Sequence, residues 1–356
     1  MKRSAPYGES QELRRSRRIA RRTNDNANCD IDSDSITSVS IPILECDQPM
    51  PSRNAILPIL VRFLDKGKHG SDLARDGISA EGSFKKFRMK GGWCLLDGLA
   101  HVSSAHDGIL LPVIERHGPP PFYFSVDRDA SAENAGSGYE SGVPKISAKG
   151  STFRSLCRIV SGQQLAVSAA RAVYSRLLGA FGSSPEDPSR LTPAAVLEIA
   201  DAGADAVETR LKKPAGLSGA KARSIIDLAR HFQSGNLSDD ILLKSCSDVE
   251  HDDMVRSRLL SVKGIGPWSV DMFLIFDAHR PDILPLGDLG VRKGTSCLFG
   301  VKGSGKNRSL CEKKDARLLR SLHQPFEPFR SLSSYYMWKC ADTTAFNDST
   351  PKGKDA

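Results

Sequence analysis

The sequence predicts a mainly α-helical protein. Apolar residues recur at helical spacing through most of the second half of the chain, and the alternation of apolar and polar residues that marks strands is scarce. Clusters of Gly, Pro and Ser separate the helical stretches, as loops between helices require. With 356 residues, of which 39% are hydrophobic, the chain can bury a substantial core in one large domain or two modest ones.

The first 52 residues are predicted to be a disordered tail, and residues 346–356 a second one. Residues 1–22 hold eight Lys/Arg against two Glu, and residues 23–50 hold six acids and no base, so their charges of +6 and −6 cancel. The net charge of +8 therefore belongs to the rest of the chain, which suits a surface that neutralises phosphates. We interpret the cluster Arg15–Arg22 as a nuclear localisation signal, with a non-specific DNA-binding arm as the alternative.

Residues 53–150 are predicted to form an N-terminal helical region and a linker. The stretches 54–63 and 95–114 have the pattern of modest helices, whereas residues 118–150 are rich in Pro, Gly and Ser and indicate a loop.

The eight cysteines do not form a metal-binding pattern. No pair makes a CxxC, and no Cys/His spacing suits zinc, so we expect reduced thiols in an intracellular protein. No apolar run approaches the length that crosses a membrane.

The helical signal is strongest from Ser151 onward. Ser151 is placed to cap a helix in which Phe153, Leu156, Cys157 and Val160 fall at i, i+3, i+4 and i+7. A polar turn at residues 161–164 interrupts this helix before a second apolar stripe that reaches Phe181. Further helices are predicted at 193–201, 219–232, 252–262, 267–276, 312–322 and 331–340.

The most informative segment is a tight turn between two predicted helices. One helix ends near Val262, the turn Lys263-Gly264-Ile265-Gly266 follows, and Pro267 occupies the first position of the next helix, where its missing N–H has no helical partner. The glycines permit positive φ and close approach, and Ile265 can fill the gap between the helices. Backbone N–H groups at such a turn point outward at an anion. This pattern predicts a helix-hairpin-helix that grips one DNA strand.

A carboxylate follows the hairpin by about twenty residues. Asp288 comes after the turn Leu284-Pro285-Leu286-Gly287 and can cap the next helix, which is the purely structural alternative. Near a DNA-binding hairpin, a fixed carboxylate can stabilise the positive charge that develops on a sugar when its N-glycosidic bond breaks, and can orient or deprotonate the attacking water. Asp271, Asp277 and Asp282 are rivals, and we rank Asp288 ahead of them.

From about Thr152 to Met337 the chain resembles the helix-hairpin-helix/Gly-Pro-Asp DNA glycosylases. The resemblance rests on residues 262–270, residues 284–294 and the sequence Glu327-Pro328-Phe329-Arg330-Ser331, in that order. It is greatest to the 3-methyladenine DNA glycosylase II branch, particularly its plant-type members. It implies a two-lobed fold with residues 151–345 as the glycosylase domain.

The resemblance implies a monofunctional enzyme that releases alkylated purines, 3-methyladenine and 7-methylguanine, and leaves an abasic site. Asp288 falls on the catalytic aspartate. Trp268 occupies the position where bifunctional glycosylase/lyases carry their Schiff-base lysine, so water is the expected nucleophile. Two alternatives remain at this stage: a bifunctional glycosylase/lyase, and a DNA-binding module without catalysis.

The resemblance also assigns the base pocket and the DNA contacts. Trp268, Met272 and Trp338 would line the pocket, where indole faces stack on a flipped base and attract a cationic purine. Gln163 would enter the gap left by that base. The remaining predicted DNA contacts are Lys263, Gly264, Ile265, Gly266, Ser269 and Arg330.

We expect no cofactor, although a structural monovalent cation held by hairpin carbonyls is compatible with the resemblance. The expected partner is damaged double-stranded DNA, bound by a monomer. Residues 300–307 resemble the sequence motif of a phosphate-binding P-loop. Because Asn307 replaces the Ser/Thr that would hold magnesium, we do not expect nucleotide binding there. We interpret residues 300–314 as a long mobile loop.

Overall fold

The computed structural model describes residues 92–123, 151–243, 249–305 and 308–342, together with Ile56, Ile59 and Met89. The predicted tails and most of the predicted linker lie outside these residues. The described part is helical and contains no strand, which confirms the mainly α-helical prediction. Among the described helices, none is both long enough and apolar enough to cross a membrane.

The predicted stretch 95–114 forms two helices, α1 (Leu95–Gly108) and α2 (Leu111–His117). Regular helical geometry is interrupted by a kink near the end of α1, where His106 and Asp107 adopt positive φ, at 50° and 55°. The apolar face of α1 is buried.

Six helices follow between residues 151 and 260. Their ends carry the expected capping residues: the side chains of Thr192 and Ser218 accept hydrogen bonds from the first turns that follow them. Asp239 accepts hydrogen bonds from the N–H and hydroxyl of Thr152 at the start of the first helix. The helices are α3 (Ser151–Gly162), α4 (Val167–Ala180), α5 (Pro193–Asp201), α6 (Gly219–Gln233), α7 (Asp239–Leu243) and α8 (Val249–Leu260).

The stretch between α5 and α6 is an irregular helical connection. It contains a π-helical turn at Val207–Lys212 and ends at Gly216, which has a φ of 67°. Sequence periodicity did not reveal this element, because a π turn breaks the 3.6-residue repeat.

The last four helices are α9 (Pro267–Phe276), α10 (Leu289–Phe299), α11 (Ala316–His323) and α12 (Arg330–Asp342). The prediction that α11 begins at residue 312 is wrong, because the Asp315 carboxylate binds the N–H groups of Ser304 and Cys311 and holds the preceding segment as a loop. Helices α10 and α12 approach so closely that a Cβ on Gly294 would overlap the carbonyl of Met337.

The helices pack in two groups, which confirms the two-lobed prediction. Lobe A is formed by helices from the two ends of the described chain, namely α1, α2 and α10 to α12. Lobe B contains α3 to α7. Helix α9 packs against α8 and α3. Since Trp268 of α9 also contacts Asp288 at the start of α10, α9 connects the two lobes at the site that the sequence singles out.

Candidate active site and DNA-binding hairpin

The hairpin between α8 and α9 has the predicted form. Gly264 adopts a φ of 84°, and a Cβ on it would overlap the Ser224 hydroxyl of α6, so both the conformation and the packing require glycine. Ile265 is buried between the helices. A Cβ on Gly266 would meet no atom within 4 Å, so this glycine leaves open space at the outer side of the turn.

The start of α9, at the end of the turn, has no side-chain cap. Gly266 precedes α9 without a side-chain cap, so the first N–H groups of α9 receive no side-chain acceptor. Lys263 is exposed, while its backbone N–H donates to the Asp227 carboxylate at 2.9 Å and fixes the turn on α6. A helix N-terminus of this kind, beside an exposed lysine, is suited to a phosphate.

Asp288 is both a helix cap and the centre of an aromatic cluster. Its Oδ1 accepts hydrogen bonds from the Val291 N–H at 2.9 Å and from the indole N–H of Trp338 at 2.8 Å. Its Oδ2 accepts one from the indole N–H of Trp268 at 2.8 Å. The capping interpretation and the functional interpretation are therefore compatible, because these three donors fix one orientation of the carboxylate.

Two of the pocket residues predicted from the sequence, Trp268 and Trp338, contact this carboxylate, and Met272 lies one helical turn after Trp268 on α9. Trp268 and Trp338 are partly buried and Met272 is buried. Trp338 stacks on Phe276, with the ring centroids 5.4 Å apart and the planes 17° from parallel. Gly290 is needed here, since a Cβ on it would lie 2.6 Å from the Trp338 ring.

Phe276 was not singled out from the sequence, although a signal was present. Trp268, Met272 and Phe276 stand at i, i+4 and i+8, so they occupy one face of α9. That spacing predicts an apolar stripe on α9, and the stacking of Phe276 on Trp338 joins this stripe to the Asp288 cluster.

The rival carboxylates have structural partners. Asp271 pairs with Arg256 at 2.8 Å, and burial raises its pKa in spite of that arginine. The buried Asp277 lies 3.8 Å from Arg158. These acids join helices and do not contact the aromatic cluster through any of the described hydrogen bonds.

Two of the predicted DNA contacts are used inside the protein. The Arg330 guanidinium makes two hydrogen bonds to Asp282, each 2.7 Å, and also contacts Glu327, which fixes the start of α12. Ser269 is buried, and its hydroxyl accepts a hydrogen bond from Gln163. A direct role of either residue in DNA binding stays a prediction.

The loop between α3 and α4 lies against the hairpin. The Gln163 amide donates to the Gly264 carbonyl and to Ser269 Oγ, both at 2.9 Å. The Lys221 ammonium, which sequence reasoning missed, donates to the carbonyls of Ser161 and Gln163 at 2.9 and 2.8 Å, and desolvation lowers its pKa.

The residues after Gln163 in this loop face solvent. Gln164 is exposed with a φ of 59°, and Leu165 and Val167 are 40% and 69% exposed. In this conformation Gln163 anchors the loop, and its neighbours are the side chains that are free to reach a partner.

Comparison with known proteins identifies the segment that carries the hairpin and Asp288. A model of the HhH-GPD superfamily base excision DNA repair proteins matches residues 157–320. Residues 157–320 are therefore similar to the proteins of that superfamily. Trp338 lies beyond the matched segment, so α12 completes the Asp288 cluster from outside it.

Two curated relatives align with about half of this chain. DNA-3-methyladenine glycosylase 1 of Schizosaccharomyces pombe is 28% identical over 188 residues, which are 52% of this chain and 71% of that protein. Putative DNA-3-methyladenine glycosylase YfjP of Bacillus subtilis is 26% identical over 192 residues, which are 53% of this chain and 58% of that protein.

A solved structure, that of Schizosaccharomyces pombe 3-methyladenine DNA glycosylase (Mag1) in complex with abasic DNA, is also similar to this chain. It has a TM-score of 0.48 and 23% sequence identity, and the match covers 68% of this chain and 95% of that one.

Proposed function

We propose that the protein is a monofunctional DNA glycosylase of base excision repair, which hydrolyses the N-glycosidic bond of alkylated purines in double-stranded DNA and leaves an abasic site. The observation that carries the proposal is the fixed Asp288 carboxylate, which lies in the segment that matches the HhH-GPD model and is held by Trp268 and Trp338. The names of the relatives, DNA-3-methyladenine glycosylases, support 3-methyladenine as a substrate, and 7-methylguanine is proposed from the resemblance of the sequence motifs alone. The motifs at 262–270 and 284–294 support a place near the plant-type members.

The chemistry follows from the charge that develops on the sugar. As the bond between C1′ and the base lengthens, positive charge spreads over C1′ and the ring oxygen, and a carboxylate held beside C1′ stabilises that state. Water then attacks C1′, with Asp288 as orienting group or base. Trp268 has no amine and cannot form an imine, so strand cleavage is not expected.

The aromatic cluster accounts for base selection. A flipped purine needs flat apolar faces to stack on, and an N3- or N7-alkylated purine carries positive charge that indole rings attract. Trp268 and Trp338 supply such faces. Alkylation also makes the purine a better leaving group, so the site does not need a strong general acid.

The hairpin and the α3–α4 loop account for DNA binding. The N-terminus of α9 and Lys263 would bind phosphates, and the α3–α4 loop would fill the gap left by the flipped base. Insertion of Gln163 would break its two hydrogen bonds to the hairpin, whereas the exposed Gln164 and Leu165 need no such change. We therefore assign the anchoring role to Gln163 and the inserted position to its neighbours.

Three further parts of the proposal rest on the sequence alone: a monomeric state, nuclear import through Arg15–Arg22, and a monovalent cation held by hairpin carbonyls. Among the described residues, no group of three or more His, Cys, Asp or Glu side chains is arranged to hold a metal ion.

A fluorescent fusion in which Arg15, Arg17, Arg18 and Arg21 are replaced by alanine should lose nuclear accumulation. Unchanged accumulation would show that this cluster is not the nuclear localisation signal.

Base release from methylated duplex DNA tests the enzymatic proposal. The wild type should release free methylpurine, with strands that stay intact until alkali is added. Asp288→Asn, which keeps an oxygen to cap α10 but loses the charge, should lower release by at least about a hundredfold while DNA affinity changes little.

The other outcomes are also informative. Strand cleavage without alkali would support a bifunctional glycosylase/lyase. Tight DNA binding without release of any methylpurine would indicate a different lesion or a binding module. Wild-type turnover in Asp288→Asn would exclude the carboxylate from the mechanism.

A further inference from the structure

A basic segment follows α10 and lies against the turn that precedes Asp288. We define it as residues 300–305 and 308–320. The Arg292 side chain of α10 joins this segment to the turn: its Nε donates to the Leu310 carbonyl at 3.1 Å and its Nη1 to the Leu286 carbonyl at 2.8 Å. Glu312 also approaches the turn, since its Oε1 lies 3.5 Å from the position that a Cβ would take on Gly287. The basic segment is therefore a neighbour of the active site.

The shape of the basic segment is fixed by hydrogen bonds. The buried carboxylate of Asp315 accepts hydrogen bonds from the Ser304 N–H at 2.8 Å, the Cys311 N–H at 2.7 Å and the Ser304 hydroxyl. These bonds lower the pKa of Asp315 and tie both sides of the loop to the start of α11. A surface held in this way loses little conformational freedom when it binds a partner.

Positive charge on the basic segment faces solvent. It has six exposed cations, and none of the ion pairs among the described residues includes them. Of its two acids, Asp315 is buried and Glu312 faces the turn at Gly287. Six like charges this close repel one another unless a polyanion lies beside them. The cations are Lys302, Arg308, Lys313, Lys314, Arg317 and Arg320.

We propose that the basic segment is a second binding site for the DNA backbone, in addition to the hairpin. The inference rests on the proposed function, because both surfaces adjoin Asp288: the hairpin helix α9 through Trp268, and the basic segment through Gly287. Two separate contacts with the phosphates would hold the duplex on both lobes while one nucleotide is turned out. The bound groups are phosphates, so this contact does not depend on the lesion.

The salt dependence of DNA binding tests this inference. The variant Lys302→Gln/Lys313→Gln/Lys314→Gln should bind an undamaged fluorescein-labelled duplex more weakly. The slope of log K against log[salt] should be shallower by about 0.9 for each phosphate that the variant no longer neutralises. A control with the same change of net charge, Arg190→Gln/Arg210→Gln/Lys213→Gln, removes three exposed cations from the lobe B side, two of which pair with Glu198 and Glu208, and should keep the wild-type slope.

Two results would overturn the inference: an unchanged slope in the triple variant, or an equal change in the control, which would indicate a general effect of net charge. If the triple variant has a lower melting temperature than the wild type, Arg317→Gln/Arg320→Gln replaces it, because these exposed cations lie on helix α11. That pair should also make the slope shallower, and a wild-type slope would again contradict the inference.

This experiment separates the inference from the proposed function. Binding to an undamaged duplex needs no catalysis, so a shallower slope in a protein that releases no methylpurine would support the basic segment and contradict the glycosylase proposal. Conversely, normal base release by the wild type together with an unchanged slope in the variants would contradict only the basic segment.

Discussion

At the scale of single residues, the two tryptophans around Asp288 have a function beyond stacking. Each indole N–H donates to a different carboxylate oxygen, at 2.8 Å in both cases. A carboxylate with two such partners and a backbone donor cannot rotate without breaking at least one hydrogen bond. The tryptophans therefore position the acid, in addition to the base-stacking role proposed for them.

Phenylalanine at either position separates these two functions, because it keeps an aromatic ring and removes the N–H. A hydrogen bond to a charged group is worth about 1.5–3 kcal/mol, so Trp268→Phe and Trp338→Phe should each slow base release by roughly 10- to 100-fold in single-turnover assays. DNA affinity should change little. Trp93→Phe is the matched control, because that indole donates to the His279 carbonyl. If all three variants keep the wild-type rate, the indole donors do not position Asp288.

At the scale of elements, the hairpin contains two glycines with different physical requirements. Gly264 needs its positive φ and packs on Ser224, whereas Gly266 has an extended conformation, with a φ of −107° and a ψ of 176°, and open space around it. The fold therefore requires glycine at position 264, whereas Gly266 leaves room for the backbone of a ligand.

Alanine substitutions should distinguish these glycines. Gly264→Ala combines a left-handed conformation with a steric overlap, so it should lower the free energy of unfolding by about 1–3 kcal/mol. Gly266→Ala should leave stability nearly unchanged but weaken binding to damaged and undamaged duplexes alike. Urea denaturation and fluorescence anisotropy measure the two effects, and wild-type affinity in Gly266→Ala would argue against a close approach of DNA at this turn.

The helices could largely be predicted because apolar periodicity and capping residues are local signals. Two parts of the helical structure were not predicted. Helix α11 begins later than expected because Asp315 binds the loop that precedes it, and the connection before Gly216 was missed because its π turn lacks the 3.6-residue repeat. Asp288 and its tryptophans followed from motifs. The anchoring of Gln163 by Lys221 and the hairpin could not be predicted, since these contacts join residues 58 and 101 positions apart in the sequence.

At the scale of the whole molecule, lobe A depends on a buried neutral histidine. His323 lies between α10 and α12, with Nε2 2.9 Å from Thr295 Oγ1 and Nδ1 3.2 Å from Ser333 Oγ. Burial lowers its pKa from 6.5 to about 4, and the positive charge of Arg330 acts in the same direction. Protonation of this ring would leave a cation without a counter-charge among its hydrogen-bonding partners.

The sign of the resulting pH dependence is fixed. Below pH 6.5 the unfolded chain binds a proton that the folded chain does not accept until about pH 4, so stability decreases as the pH falls through this interval. The loss should approach about 3 kcal/mol. Urea denaturation of the wild type and His323→Gln between pH 7 and 4 should show a shallower decline in the variant, and parallel curves would exclude His323 as the cause.

In the proposed function, one end of helix α9 binds a phosphate and one side of it binds the flipped base. Because Gly266 immediately precedes the helix that contains Trp268, a phosphate bound at the turn and a base stacked on Trp268 would keep a fixed separation. One residue inserted between Pro267 and Trp268 would turn the pocket face by about 100° and advance it by about 1.5 Å. Such a protein should still bind its duplex, but the Trp268 face would no longer meet the flipped base. Helix α9 would therefore set the distance between the bound phosphate and the nucleotide that enters the site.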